Sequence, residues 1–307
     1  MENPIEQNNY KELTGNILAP AQTWQQLDQM IQFFHRPDNN QFGGNLFRNP
    51  GYLVWEWWAR FHANGGLPFN ANMQATINSK AGVSALEDLV NVTSYLTPGS
   101  IANGLFENWT EFAEGNVFCN IGWGGTQKHM MSQSTMRNNV LHSALPGPLI
   151  DDKPSSMGYF NWGWSYTVST QSTQTELAYL LALFCVTPAA STMAVKASEG
   201  FFDPFRASHY EDDGIKAVYG SSFLEAHRLS MSKAIPDLYI SGQNSYLSTL
   251  RKHILQVLQG EISAQDALDE CTRSWNHITR RLGQDDQSIQ WQELLSTYPA
   301  ALQTSEG

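Results

Sequence analysis

The side chains best suited to chemistry in this sequence are aromatic rings and planar polar groups, and their types suit binding better than reaction. Tyr159, Phe160, Trp162, Trp164 and Tyr166 fall within eight positions, separated by Asn161, Gly163 and Ser165. A further tryptophan, Trp123, stands between Gly122 and Gly124, where the backbone allows close approach and the indole face is available. Such faces stack on the C–H patches of hydroxylated solutes, although a Trp wedged beneath a glycine turn would read the same way. Tyr52 and Trp55 are about one helical turn apart and share a face, with Glu56 a turn from Tyr52. In Asp203-Pro-Phe-Arg-Ala-Ser-His209, Arg206 can fork onto adjacent hydroxyls or pair with Asp203, while His209 reads as a packed or capping imidazole.

Reaction chemistry has weaker support. The carboxylates near the aromatic runs, Glu56, Glu107, Glu111 and Asp203, are scattered over different elements and form no opposed pair of the kind glycosidases need. No phosphate loop, zinc-helix or serine-elbow motif stands out. Cys119, Cys185 and Cys271 are far apart and odd in number, with no metal-ligand spacing. No cofactor or metal is expected, and a carbohydrate-active enzyme is the weakest of the readings.

The elements that must position these groups follow from pattern and punctuation. Thr23 caps a helix over 24–34, and the aromatic helix over 50–62 is closed by Asn64-Gly65-Gly66. Further helices are expected over 78–90, 107–114, 214–219, 222–231, 244–259 and, capped by Ser263, 263–278. Strands are expected near 43–47 and 116–121, and the mixture of aromatic and β-branched residues over 164–169 suits another. Thr175 to Val186 is apolar on nearly every side and reads as a well-buried helix stopped by Pro188. The Pro-rich passage 144–154 reads as a linker, and residues 1–20 carry little pattern.

At 307 residues two lobes are the default, and 18 basic against 29 acidic residues leave a net charge of −11. That balance disfavours nucleic acid and anionic membrane surfaces as partners. No run is long and apolar enough to span a membrane, and the first fifteen residues lack the basic and apolar regions of a signal peptide.

Taken in order, several passages resemble one family, the maltose-binding-type extracellular solute-binding proteins of sugar ABC transporters. They are Thr23-Trp24 heading an amphipathic helix, Asn78 to Leu89, Phe112 to Trp123, and Leu145-Pro-Gly-Pro148. Gly163-Trp164 ahead of Glu176-Leu-Ala, Pro204-Phe-Arg-Ala-Ser208, and Gly260 to Leu282 continue the series. The resemblance spans most of residues 20–285. Phe118 and Cys119 depart from it, standing where the family has a small residue and Met.

The resemblance implies an α/β, type II periplasmic-binding fold with two lobes, discontinuous connectivity and a helical C-terminus. It implies that residues 1–155 are the C-lobe-like part and 156–202 a returning strand-helix unit of the N-lobe. Residues 203–307 would supply the hinge loop and the C-terminal helices packing on the C-lobe. The family's N-lobe precedes the Trp24 helix by roughly a hundred residues or more, so the N-terminal lobe is expected to be incomplete here. The implied function is capture of a sugar or polyol in an aromatic-lined cleft and delivery to ABC permease subunits, in the periplasm or outside the cell. The implied binding residues are Trp123 with Gly122, Trp164 with Gly163, Trp162, Arg206, Asp203, Tyr52, Trp55, Glu56 and Tyr246. The alternative is a non-binding remnant or interaction module of the same fold, which would expose an apolar face where a lobe should dock.

Overall fold

The computed structural model describes residues 1–133, 136, 139–150, 152–159, 163 and 165–303. Its first part runs α1 (Pro4–Thr14), α2 (Trp24–Phe34), β1 (Phe42–Asn45), α3 (Leu53–Ala63), α4 (Lys80–Thr93), α5 (Leu105–Ala113), β2 (Val117–Asn120) and α6 (Gly124–Gln133). A two-residue hairpin, β3 (Leu149–Ile150) with β4 (Lys153–Pro154), follows in the expected linker. The rest is helical: α7 (Thr175–Cys185), α8 (Pro188–Lys196), α9 (Asp213–Tyr219), α10 (Ser221–Ser232), α11 (Gln243–Leu258), α12 (Ala264–Leu282), α13 (Gln284–Leu295) and α14 (Ala300–Gln303).

β1 is the centre of the sheet. It pairs in parallel with β2, setting Phe42 against Val117 and Gly44 against Cys119, and a parallel bridge joins Gly44 to Leu96 on its other edge. Parallel pairing is reached through the helical crossovers, so helices cover the strands. The strand reads Phe-Gly-Gly-Asn because α2 crosses it at backbone contact. A Cβ at Gly43 would lie 2.0 Å from the Ile31 carbonyl oxygen, so any larger residue would push the helix off the sheet.

The main core lies between α3, α4 and the C-terminal helices. Trp57 stacks on Phe61 at 4.8 Å and donates its indole N–H to the Gly82 carbonyl at 3.2 Å. The amphipathic α12 is capped by Ser263, whose hydroxyl accepts from the Asp266 N–H at 3.1 Å. Its buried stripe of Ala267, Leu268, Cys271, Trp275 and Ile278 keeps to helical spacing. Truncating Trp275 there would cost about 3–5 kcal/mol.

A smaller cluster joins Val195, Ile215, Tyr219 and Leu224, so α9 and α10 pack with α8; the helices that pack on α3 and α4 begin at Gln243. The chain passes between the two groups where Tyr159 bridges Ile235, the Ile235 N–H donating to the Gly158 carbonyl at 2.8 Å.

Two expectations need correction. The helix over 175–185 forms, but it is not buried: Leu177 is 64 % and Phe184 65 % exposed, and Leu180 and Leu181 are also open. An all-apolar helix needs a layer on every side, and the described residues pack against only part of α7, leaving most of its surface open. Residues 165–169 form no strand, since among the described residues no strand lies alongside to complete a ladder.

Among the described residues no single helix is long and apolar enough to cross a membrane. α7 and α8 would pass together on length and composition, but they bend by 59° and α8 buries Ser191 and Val195 against its neighbours.

Candidate solute-binding site

β1 and β2 run in the same direction, so their carboxyl ends open on one edge of the sheet, the side where ligands collect in α/β folds. Phe47 leaves β1 at that edge and Trp123 leaves β2 there. Between them, at the start of α3, stand Tyr52 and Trp55. Phe47 stacks on Tyr52 at 4.8 Å and meets Trp123 at 5.6 Å. Tyr52 and Trp55 meet edge to face at 5.0 Å, and Trp123 lies 6.2 Å from Tyr52. Trp55 is 6.3 Å from Tyr159, whose hydroxyl donates to Asp237 Oδ1 at 3.2 Å beside the Tyr159–Ile235 crossing. Phe47 is buried while Tyr52, Trp55 and Trp123 are partly exposed. At these separations the rings pack on one another, so they present a composite outer face rather than a hollow cage. That arrangement suits a flat, neutral C–H surface better than a cation enclosed between rings.

Beside Phe47 lies an amide cluster in which Asn45 and Asn108 are buried and Asn120 is half-buried. Asn108 Nδ2 donates to Asn45 Oδ1 at 2.8 Å, and Asn120 Nδ2 donates to Asn108 Oδ1 at 2.7 Å and to the Asn45 carbonyl at 3.1 Å. It ties the ends of β1 and β2 to α5, fixing the distance between Phe47 and the Trp123 turn. Phe47 and the three asparagines were not legible as site residues, since only strand pairing brings them together.

The remaining expected residues divide sharply. Gly122 is exposed beside Trp123, and Gly163 is exposed; Trp162 and Trp164 lie outside the described residues.

Glu56 is corrected from solute ligand to ion-pair partner. Both its oxygens are taken, by Arg48 at 2.6 and 3.2 Å and by Arg60 Nε at 2.9 Å, and Arg60 also forks onto Asp28 at 2.7 Å to each oxygen. Burial raises the Glu56 carboxyl, but the two guanidiniums outweigh it and hold the group below the usual carboxylate range.

Tyr246 is corrected to a core residue. It is 0 % exposed, and its hydroxyl meets Thr279 at 2.8 Å and Gln287 at 3.0 Å. An aromatic at a helix start looks the same in sequence whether it faces a cleft or a core.

Arg206 is engaged elsewhere. Its Nε donates to Ser191 Oγ at 3.2 Å and an Nη to the Val186 carbonyl at 2.5 Å, so it closes the end of α7 rather than a solute site. His209 is packed as expected, buried with Nε2 3.3 Å from Ser191 Oγ.

Asp203 reaches the site, but through the backbone. Its Oδ2 accepts from the Gly124 N–H at 3.2 Å and its Oδ1 from the Tyr219 hydroxyl at 3.1 Å. Burial raises its carboxyl above the usual range, against Tyr219, Lys128 and the Gly124 N–H, which favour the anion.

A groove of about 740 Å³ elsewhere, lined in part by Tyr10, Asn16, Gln22, Leu145 and Lys233, shares no residue with the aromatic face. The one aromatic ring among its lining residues is the buried Tyr10, whereas four rings meet at the aromatic face, which is the better candidate.

No family model matches the sequence. Among solved structures, the chain is similar to maltose-bound MalE3 of T. maritima, with a TM-score of 0.70 and 16 % identity over 89 % of this chain and 69 % of that one. It is similar to an ABC transporter solute-binding protein of Agrobacterium radiobacter in complex with ribitol (TM-score 0.69, 16 % identity, 89 % of this chain and 68 % of that one). A third is the Agrobacterium vitis solute-binding protein with bound D-mannitol (TM-score 0.69, 13 % identity, 90 % and 70 %). The chain thus spans a little over two thirds of the length of each. Its fold is the type II periplasmic-binding fold of the ABC transporter solute-binding proteins.

Proposed function

We propose that the protein is the solute-binding component of an ABC importer and that it holds a neutral sugar or polyol against Trp123, Trp55 and Tyr52. The observation that carries this reading is the composite aromatic face at the carboxyl ends of two parallel strands. The similar structures named above hold maltose, ribitol and D-mannitol, all neutral and hydroxyl-rich. The protein acts by capture and release to permease subunits, in the periplasm or outside the cell, without changing its solute. Residues 1–155 and the helices from Gln243 onward make one lobe. The 156–202 unit, extended through α10 by its shared cluster, belongs to the other.

Thermal unfolding against maltose, ribitol, tagatose and D-mannitol tests this. A solute at a hundred times its dissociation constant adds about 2.7 kcal/mol, and one member of such a panel is expected to raise the midpoint.

The exposed α7 favours a second reading, in which the chain is an interaction module of the same fold. A concentration-dependent transition that no solute shifts would select it.

A further inference from the structure

Trp123 stands on a short turn between β2 and α6, and the structure shows what grips that turn. On one side Gly125 lies flat against Trp109, where a Cβ would come within 2.5 Å of the indole. On the other side the loop after α8 presses in. A Cβ at Gly124 would meet Asp203 Oδ1 at 2.0 Å and the Tyr219 ring at 3.0 Å. Only glycine lets the carboxylate reach the Gly124 N–H.

The loop that carries Asp203 is itself tied to α6. Lys128 Nζ donates to the Gly200 and Phe202 carbonyls, each at 3.0 Å, and sits 5.1 Å from the Tyr219 ring centroid. The Tyr219 hydroxyl bonds both the Phe202 carbonyl, at 2.9 Å, and Asp203 Oδ1. From the same helix, Gln127 Nε2 donates to the Tyr219 carbonyl at 2.7 Å. The contact between α6 and the α8–α10 unit is therefore built on polar bonds that converge one residue from Trp123.

We propose that Asp203 is a positioning residue: through Gly124 it sets the orientation of Trp123 and couples the α8–α10 unit to the stacking face. Its importance for solute rests on the function proposed above; its grip on Trp123 does not. The carboxylate replaces a direct solute contact with control of the ring that makes one. Movement of the α8–α10 unit then reaches the binding face through one carboxylate and one glycine.

The test is a cycle of Asp203→Ala and Trp123→Phe, singly and together, read by near-ultraviolet circular dichroism without solute. Asp203→Ala is expected to change the tryptophan bands in the parent and to leave them unchanged in the Trp123→Phe background. Equal changes in both backgrounds would overturn the proposal. Asp203→Asn keeps an oxygen for the Gly124 N–H and is expected to restore the parent spectrum. Should Asp203→Ala not fold, Tyr219→Phe serves in the same cycle, with coupling to Trp123 supporting the proposal and additivity overturning it. In a solute titration, Asp203→Ala is expected to weaken binding about tenfold and Asp203→Asn to recover it. A parent that binds no solute would sink the proposed function while the spectroscopic cycle still judged the positioning.

Discussion

Trp123 and Trp55 meet edge to face, with ring centroids 5.4 Å apart and planes at 86°, although one leaves a strand and the other lies in the first turn of a helix. Each ring braces the other, so the outer face they form with Tyr52 would need little ordering to take the proposed solute. Trp123→Ala and Trp55→Ala should each weaken sugar or polyol binding by about tenfold or more in calorimetric titration. The double variant should lose less than the sum, because either change alone removes the shared contact. Tyr246→Phe should leave affinity unchanged.

Glu56 gives a different kind of prediction. Removing it leaves Arg48 buried against no carboxylate and Arg60 with Asp28 alone. Glu56→Ala is expected to lower stability by about 3–5 kcal/mol in urea unfolding. A change below 1 kcal/mol would contradict the burial of this chain of charges.

His62 sets an acid limit. It is fully buried, with Nδ1 2.8 Å from the Trp58 carbonyl, and burial pushes its pKa down to about 4 from an ordinary 6.5. The unfolded chain therefore takes up a proton at a pH where the folded protein does not. This contribution is present above pH 6.5 and is lost as pH falls toward 4, on the order of 3 kcal/mol in all. His62→Phe should flatten the stability profile across that window.

The open face of α7 is expected to bind the dye ANS and to drive self-association that rises with concentration in sedimentation. Leu180→Glu with Phe184→Glu should reduce both. Because neither side chain is buried, stability should move by only about 0.5 kcal/mol.

Local signals were readable and long-range ones were not. The Thr23 and Ser263 caps and the Asn64-Gly65 stop depend on neighbours in sequence, and each marks a helix end in the structure. The shared face of Tyr52 and Trp55 was readable for the same reason. α1 was not: its cap is Asn3 and its one buried residue is Tyr10, so it shows no apolar period. The helicity of α7 was legible and its exposure was not, since an apolar pattern reports what a helix requires rather than what surrounds it. Phe47 and the Asn45–Asn108–Asn120 cluster needed the pairing of β1 with β2, which spacing does not encode.

The chain of Asp28, Arg60, Glu56 and Arg48 also settles the rotational phase of α3. That helix carries Trp55, Trp57, Trp58 and Phe61, so large rings point in several directions and burial alone would favour several rotations about its axis. Glu56 and Arg60, one turn apart, are charged and can be buried only where Arg48 and Asp28 wait for them. With the Arg60 guanidinium also 4.4 Å from the Trp24 ring, α2 and α3 are keyed to each other. One angular setting neutralises all four charges, and it is the setting that sends Trp57 and Trp58 inward and leaves Tyr52 and Trp55 on the outer aromatic face.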